Sequence, residues 1–317
     1  MTAETHALAV ERKPFKFPFK AIGNALLPYV LIAPPVILVA VMIFFPAIQS
    51  FIRTLTPDNP TNGSLALSLD RYAAFFQDQI SINNLVFTIE ITVAAVIVLL
   101  VIGLVLALYL RFRKNRLSSF VQGLALFPLF VPGIILAYAL IQFLAPRGTI
   151  DNLIRDTGTK PAFDAVYHVF GLNGYRTPYL RPEGIVIGVV WESLPFTVLI
   201  LTAGLGQVED GLIESARDVG ANPFQVFRSI VLPLIQRPLM IVICLNFIGI
   251  FGSYTLPYLL GPAAPQMMGV FMQNTYSEYR APEAAETQAV VTFLACALVG
   301  MLYIRTIIRQ QAGQRRS

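Results

Sequence analysis

Long apolar runs alternate with short polar segments along most of the chain. A helix needs about 20 apolar residues to cross the hydrocarbon core of a bilayer. Inside lipid the backbone must satisfy its own hydrogen bonds, so each run is predicted to be an α-helix. The pattern therefore predicts an all-α, polytopic membrane protein with about six transmembrane helices, at residues 28–51, 86–110, 119–145, 184–207, 239–260 and 289–308.

A polar, amphipathic stretch at residues 209–233, here called the insert, separates the fourth and fifth predicted spans. Its residues predict a helix, a tight turn and a second helix. Asp210 is a candidate N-cap, and Gly220 is suited to end a helix in the left-handed conformation. Asn222 followed by Pro223 is typical of a cap followed by the first helical residue. The insert is thus predicted to contain two short helices.

Both predicted insert helices have an apolar face. A soluble helix-turn-helix would have a similar pattern, which makes DNA binding an alternative. Membrane-length runs on both sides, and the lack of a following helix rich in Arg and Asn, argue against that alternative. The predicted apolar faces are Leu212, Ile213, Ala216 and Val219 on the first helix, and Phe224, Phe227 and Val231 on the second, with Glu209, Arg217 and Asp218 off the first face.

The composition agrees with a membrane protein, because 56% of the residues are hydrophobic and only 13% are charged. A soluble domain would carry about 25% charged residues. Cys244 and Cys296 both lie in predicted spans, so neither a disulfide framework nor a metal site is expected. His6 and His168 are far apart in sequence. No metal and no cofactor are therefore predicted.

The positive residues predict the orientation in the membrane. Fifteen of the 23 Lys and Arg residues fall on the side of the insert and of both termini, and eight fall on the other side. Since cytoplasmic loops are enriched in Lys and Arg, this places the insert and both termini in the cytoplasm. The predicted organisation is an N-terminal tail at 1–27, a permease-like membrane domain at 28–310 and a C-terminal tail at 311–317. A net charge of +5 could also suggest nucleic acid, but the positions of these charges at span ends explain it as topology.

Three longer loops are predicted on the outer side. The first contains a short helix around residues 72–76, and the second, at residues 146–183, contains further short helices. The third, at residues 261–286, contains exposed methionines and aromatic residues that suit a docking surface. Packing on the membrane side is the alternative for Met267, Met268, Phe271 and Tyr276.

Glu192 in the fourth predicted span is the strongest candidate for the translocation pathway. An unpaired carboxylate within a membrane is costly and usually faces a cavity or a partner. Trp191 precedes it, and Pro195 can kink the helix. A structural pair with a hydroxyl such as Ser253 or Thr197 is the alternative. Further polar candidates, either for lining the pathway or for packing helices together, are Asn246, Ser253 and Tyr254.

No catalytic motif is present in the sequence. It contains no phosphate-binding loop of the Gly-x4-Gly-Lys-Ser/Thr type and no His-Glu-x-x-His. The chain is therefore not predicted to be an enzyme. If ATP energises transport, another polypeptide must hydrolyse it, and a helix pair docked in a groove of that ATPase is a suitable connection.

The insert resembles the "EAA" loop of binding-protein-dependent ABC importer permeases. The family pattern is Glu-Ala-Ala, three residues, Gly, nine residues and Ile-x-Leu-Pro. This sequence has Glu214, Ser215 and Ala216, then Gly220, then Ile230 to Pro233 at the same spacing. Ser215 replaces alanine, which is a change between small residues.

The resemblance implies that the insert forms coupling helices seated on an ATPase subunit. Glu214 would engage basic residues of the ATPase, Gly220 would make the turn, and Ala216 would pack on the helix face. Implied partners are two cytoplasmic ATP-binding subunits, a second permease, a solute-binding protein outside the membrane and the lipid of a bacterial inner membrane. The other residues of this coupling segment are Ser215, Asp218, Ile230 and Pro233.

The residues flanking the insert resemble those of spermidine/putrescine permeases. Residues 191–196 read Trp-Glu-Ser-Leu-Pro-Phe, and residues 256–261 read Leu-Pro-Tyr-Leu-Leu-Gly. This resemblance implies a polyamine or a similar small organic cation as substrate. The alternatives are a sugar-type permease and, from another class, a secondary transporter, for which no inverted repeat is evident.

Overall fold

The structure is a computed structural model, and it describes residues 19–56, 67–169 and 173–314. Every regular element within these ranges is a helix, which confirms the predicted all-α class. The sequon-like Asn62 and Gly63 lie outside the described residues. The chain divides into one unit that ends at Arg53 and one that begins at Thr54, and each is described separately.

The first unit contains most of the first span, Leu27–Thr54. Its helix Phe19–Val39 continues through a π-helical turn, Ala40–Phe44, into the helix Phe45–Thr54. None of its most apolar 18 residues is buried, as expected for a helix whose side chains face lipid. The span predicted at 28–51 is confirmed.

The second span, Gln79–Phe112, and the fourth span, Pro182–Leu205, form the centre of the second unit. Buried residues recur at three- or four-residue intervals along the second span, which is the spacing of one helix face. The two helices approach closely at Gly103, where a Cβ atom would lie 2.5 Å from Cγ2 of Thr197. The predicted spans at 86–110 and 184–207 are therefore one packed pair.

The third span, predicted as one helix at 119–145, is broken. An Asn115 capping box opens the helix Arg116–Leu126, and a short 3-10 turn, Phe127–Phe130, follows it. A new helix, Gly133–Leu144, begins after Pro132. Proline lacks a backbone N–H and disfavours the helical conformation in the residue before it, so Pro132 explains the break.

The fifth span differs from its predicted bounds of 239–260. The helix Gln236–Phe251 ends near Gly252, and a separate short helix, Thr255–Leu260, follows. At its start, Gln236–Phe251 is joined to the second insert helix, Pro223–Leu234, at a bend of 68°. The insert is therefore connected directly to this span through the single residue Ile235.

The outer loops contain the short helices that the sequence predicts. Asp70–Gln77 covers residues 72–76, while Thr149–Asp156 and Lys160–Val169 lie in the second loop. Met268–Ser277 precedes the sixth span, which begins at Pro282, one to two turns earlier than predicted. In the described residues, five helices are long and apolar enough to cross a membrane, or six if the bent pair is counted as one span.

Candidate functional site

The first insert helix runs from Asp210 to Asp218. Glu209 is its N-cap residue, and its side chain makes no capping hydrogen bond. The prediction that Asp210 is the N-cap is wrong, because Asp210 is the first helical residue and its carboxylate pairs with Arg111 of the second span. The helix start is thus stabilised from another element rather than by a local cap.

A left-handed glycine ends this helix, as predicted. Gly220 has a φ of 87°. Its N–H donates to the carbonyl of Arg217 at 2.8 Å, and the N–H of Ala221 donates to the carbonyl of Ala216 at 3.0 Å. These two bonds define a Schellman motif, which satisfies carbonyl groups at the helix end. No heavy atom lies within 4 Å of the position of a Cβ atom at Gly220, so backbone conformation alone favours glycine there.

The second insert helix begins with the predicted cap. The side chain of Asn222 accepts a hydrogen bond from the N–H of Gln225, the side chain of Gln225 returns one to the N–H of Asn222, and Pro223 occupies the first turn. The helix widens into a π-helical turn, Phe227–Val231, before it reaches the bend. The two insert helices are therefore set by local residues at both sides of the Gly220 turn.

The buried face of the insert is narrower than predicted. Ile213, Val226 and Val231 are buried and join a hydrophobic cluster with Ala107 and Leu205 at the ends of the second and fourth spans. In contrast, three residues predicted on the apolar faces are exposed. These are Leu212, Val219 (85% exposed) and Phe224 (67% exposed).

The residues of the family-type motif lie mainly on the solvent side of the insert. Ser215 donates its hydroxyl to the carbonyl of Gly211 at 2.8 Å, which keeps the small polar side chain close to the helix. A cavity of about 340 Å³ lies between the insert and the second span, lined in part by Phe112 and Arg217. Glu214, Ser215, Asp218, Gly220 and Pro233 are exposed, while Ala216 and Ile230 are half-buried.

The structure brings Glu192 to the break in the third span. Its Oε1 atom lies 3.1 Å from the position of a Cβ atom at Gly133, the first residue of the helix after the break. The first N–H groups of such a helix have no partner within it, and the helix dipole favours a negative charge there. Glu192 and Trp191 are both exposed in the isolated chain.

The hydroxyl of Thr197, one suggested partner of Glu192, is instead bonded to another side chain. Asn246 of the fifth span donates to Oγ1 of Thr197 at 2.9 Å and to the carbonyl of Val242 at 2.9 Å. Both residues of this pair are buried. This position favours the packing alternative for Asn246 over the pathway alternative.

The two remaining pathway candidates lie where the fifth span ends. Ser253 is half-buried beside Gly252, and Tyr254 is exposed. The ring of Tyr254 stacks on that of Tyr258, with centroids 5.3 Å apart and an interplanar angle of 19°. The structure therefore brings Glu192 and Trp191 to one break and Ser253 and Tyr254 to another.

The expectation of exposed methionines in the third outer loop is wrong. Met267 and Met268 are 1% and 0% exposed, Phe271 is buried, and only Tyr276 is exposed. The N–H of Gln266 donates to Oδ1 of Asn84 at 2.7 Å, and the N–H of Met268 donates to Oγ1 of Thr88 at 2.8 Å. Asn84 and Thr88 were missed in the sequence, although two polar residues one turn apart in an apolar span are a signal of such a contact.

The comparisons with known proteins point to one family. A family profile described as "Binding-protein-dependent transport system inner membrane component" matches residues 99–316, which include the whole insert. The probable starch degradation products transport system permease protein AmyD of Thermoanaerobacterium thermosulfurigenes is 24% identical over 290 residues, which cover 90% of this chain and 95% of that protein.

A second relative and a solved structure extend this similarity. The spermidine/putrescine transport system permease protein PotB of Salmonella typhimurium (strain SL1344) is 24% identical over 252 residues, covering 79% of this chain and 83% of that protein. A chain of a bacterial ABC transporter involved in the import of the acidic polysaccharide alginate has a TM-score of 0.69 at 18% identity, covering 90% of this chain and 98% of that chain. At this identity the structural likeness supports the fold alone.

Proposed function

Because the chain belongs to the family of binding-protein-dependent transport system inner membrane components, we propose that it is one permease subunit of an ATP-driven importer. It forms half of a translocation pathway, and a second permease, identical or homologous, forms the other half. The observation that carries this proposal is the insert. Its motif residues are exposed while its apolar side packs on the ends of the second and fourth spans.

The insert receives force from a separate ATPase. Exposed Leu212, Val219 and Phe224 supply an apolar surface beside the acidic side chains of Glu214 and Asp218. Such a helix pair suits a groove on a partner, with the acids facing basic residues of that partner. Each permease takes one ATP-binding subunit, so a complete assembly contains two, and ATP hydrolysis belongs to those subunits.

In the proposed orientation, the insert and both termini face the cytoplasm of a bacterial cell. The distribution of Lys and Arg supports this orientation. The outer loops then face an external solute-binding protein, and lipid surrounds the outward faces of the spans. Movement of the insert would rock the attached spans between inward-open and outward-open states.

The test of this function is ATP hydrolysis by the assembled transporter. The chain is co-purified with its ATPase, reconstituted in vesicles and supplied with its binding protein. We expect basal ATPase activity that rises when the loaded binding protein is added, together with ATP-dependent uptake. Uptake that follows an ion gradient and ignores ATP would refute the proposal in favour of a secondary transporter.

We propose a polyamine or a similar small organic cation as the substrate. The sequence around Glu192 resembles that of spermidine/putrescine permeases, and a carboxylate beside an indole ring is a suitable environment for a cation. A sugar is the second candidate, because the similarity to the starch degradation products permease covers more of the chain than the similarity to the polyamine permease.

Thermal unfolding of the binding protein that stimulates this transporter separates the two substrates. We expect putrescine or spermidine to raise its Tm, whereas maltotriose leaves the Tm unchanged. The opposite result would reject the polyamine and support the sugar. The outcome leaves the permease function itself unaffected, since both substrates fit the family.

A further inference from the structure

One side chain connects three elements at the cytoplasmic end of the bundle. Arg111 lies in the last turn of the second span, and its side chain is only 16% exposed. Its Nε atom donates to the carbonyl of Leu205 at 3.1 Å, and its Nη2 atom donates to the carbonyl of Val208 at 3.0 Å. The Nη2 atom also pairs with the carboxylate of Asp210. The end of the second span, the end of the fourth span and the start of the insert thus meet at one guanidinium.

The chemistry of this contact fits arginine better than any other residue. The carbonyl of Leu205 belongs to the last turn of the fourth span, where carbonyl groups lack helical N–H partners and the helix dipole is negative. The acceptor of the third bond, Asp210, lies in the first turn of the next helix, where a negative charge is favoured. A guanidinium offers several N–H donors in a fixed plane, whereas an ammonium is a single point charge.

Apolar packing alone would hold the insert less precisely. Ile213, Val226 and Val231 keep the insert against the bundle, but burial of apolar surface is non-directional. It does not define the angle of the first insert helix. The hydrogen bonds of Arg111 do define this angle, because each has a preferred direction at its acceptor.

We propose that Arg111 is a positioning residue that fixes the first insert helix to the second and fourth spans, so that displacement of the insert moves these spans. This inference rests on the proposed function and adds the route by which force enters the membrane. Arg111 touches neither the substrate nor the ATPase groove in this arrangement. Its loss should therefore separate ATP hydrolysis from transport without preventing assembly.

The experiment compares Arg111→Gln with Arg113→Gln in the reconstituted complex. Arg113 is exposed, lies two residues further along and carries the same charge, so it controls for the loss of a cytoplasmic positive charge. We expect Arg111→Gln to lower the amount of solute imported per ATP hydrolysed by about tenfold, which corresponds to one charge-assisted hydrogen bond. Arg113→Gln should leave this ratio unchanged.

Two further variants test the geometry of the contact. Arg111→Lys keeps the charge but not the planar donors, and it should recover only part of the ratio. Asp210→Ala removes an exposed ion pair and leaves both carbonyl bonds, so it should lower the ratio by about twofold at most. Full recovery with lysine would refute the positioning role, because charge alone would then be sufficient.

Amide hydrogen exchange gives a readout that does not depend on transport. In Arg111→Gln, amides of residues 210–218 should exchange faster than in Arg113→Gln, while the amides of residues 185–199 should not. Equal exchange in the two variants, or equal losses of uptake and ATPase activity together with a lower Tm of the complex, would overturn the inference. A wild-type complex without ATP-driven uptake would instead refute the proposed function.

Discussion

The second span holds a different kind of structure at each of its ends. At the cytoplasmic end it holds the insert through one charged side chain and a small apolar cluster, and most of the motif-bearing surface stays exposed. At the outer end, Asn84 and Thr88 bond to the backbone at Gln266 and Met268, and the chain that follows is buried. The difference teaches that the inner attachment leaves a surface for a partner, whereas the outer attachment builds part of the core.

The largest effect is expected from the turn of the insert. Gly220→Val places a β-branched residue at a φ of 87°, which costs roughly 1–2 kcal/mol and shifts the second insert helix. We expect ATP-dependent uptake to fall by tenfold or more. Gly211→Val is the matched control, because it also adds a side chain to open space but lies within the helix. Equal uptake by the two variants, at equal amounts in the membrane, would contradict the role of the turn.

The outer attachment can be weakened by a nearly isosteric change. Thr88→Val leaves the buried N–H of Met268 without its acceptor, and we expect the free energy of unfolding to fall by about 1–3 kcal/mol.

Thr92→Val is the control for this variant. Thr92 lies one turn further along the same helix, and its buried hydroxyl has no hydrogen-bond partner. Its replacement should leave the Tm unchanged or raise it. The two melting curves, measured in one detergent, decide the matter, and a larger loss for Thr92→Val would contradict the assignment of the outer attachment.

A smaller effect is expected between the two ends. Glu192→Gln removes the carboxylate beside the break in the third span, and uptake of a cationic substrate should fall by about fivefold while the ATPase stays bound. Glu90→Gln, near the outer end of the second span, should change uptake little. If uptake and substrate preference are the same in both variants, Glu192 has a structural role only.

The smallest effect concerns the cap of the second span. The carboxylate of Asp78 accepts bonds from the hydroxyl and N–H of Ser81 and from the N–H of Ile80, and these bonds lower the pKa of Asp78 below its ordinary value of 3.8. Asp78→Ala should cost about 0.5–1 kcal/mol near neutral pH.

The pH dependence of this cost has a definite sign. A lowered pKa in the folded state means that the stabilising contribution is complete above the ordinary pKa of the carboxyl group and is lost as the pH falls through the lowered value. The difference in Tm between wild type and Asp78→Ala should therefore be constant at neutral pH and shrink in strong acid. A difference that grows as the pH falls would contradict the hydrogen-bonded cap.

Local features of both regions were predictable, and long-range ones were not. The Gly220 turn and the Asn222 cap follow from residues within one or two turns of chain, so the sequence predicts them correctly. The burial of Met267 and Met268 depends on Asn84 and Thr88, which are about 180 residues away, as the two hydrogen bonds record. No local pattern contains that information.

The same limit applies to the candidate site. Arg111 was counted only as a cytoplasmic charge, because its three acceptors are more than 90 residues away in sequence. Phe224 was placed on an apolar face by helical spacing, yet it is exposed, since spacing shows which residues share a face and not whether another element covers that face. The roles of the motif residues and of Trp191, Glu192, Ser253 and Tyr254 stay predictions.

The π-helical turn at Phe227–Val231 affects how the gene for this chain can change in length. In this turn the N–H of Leu232 reaches back five residues to the carbonyl of Phe227, so the turn accommodates one residue more than an α-helical turn would. Removing one residue there would restore ordinary winding and keep the downstream helix in phase. Elsewhere in the same helix, a single-codon deletion would rotate everything that follows by about 100°. Codons 227–231 are thus where this helix should best tolerate such a deletion.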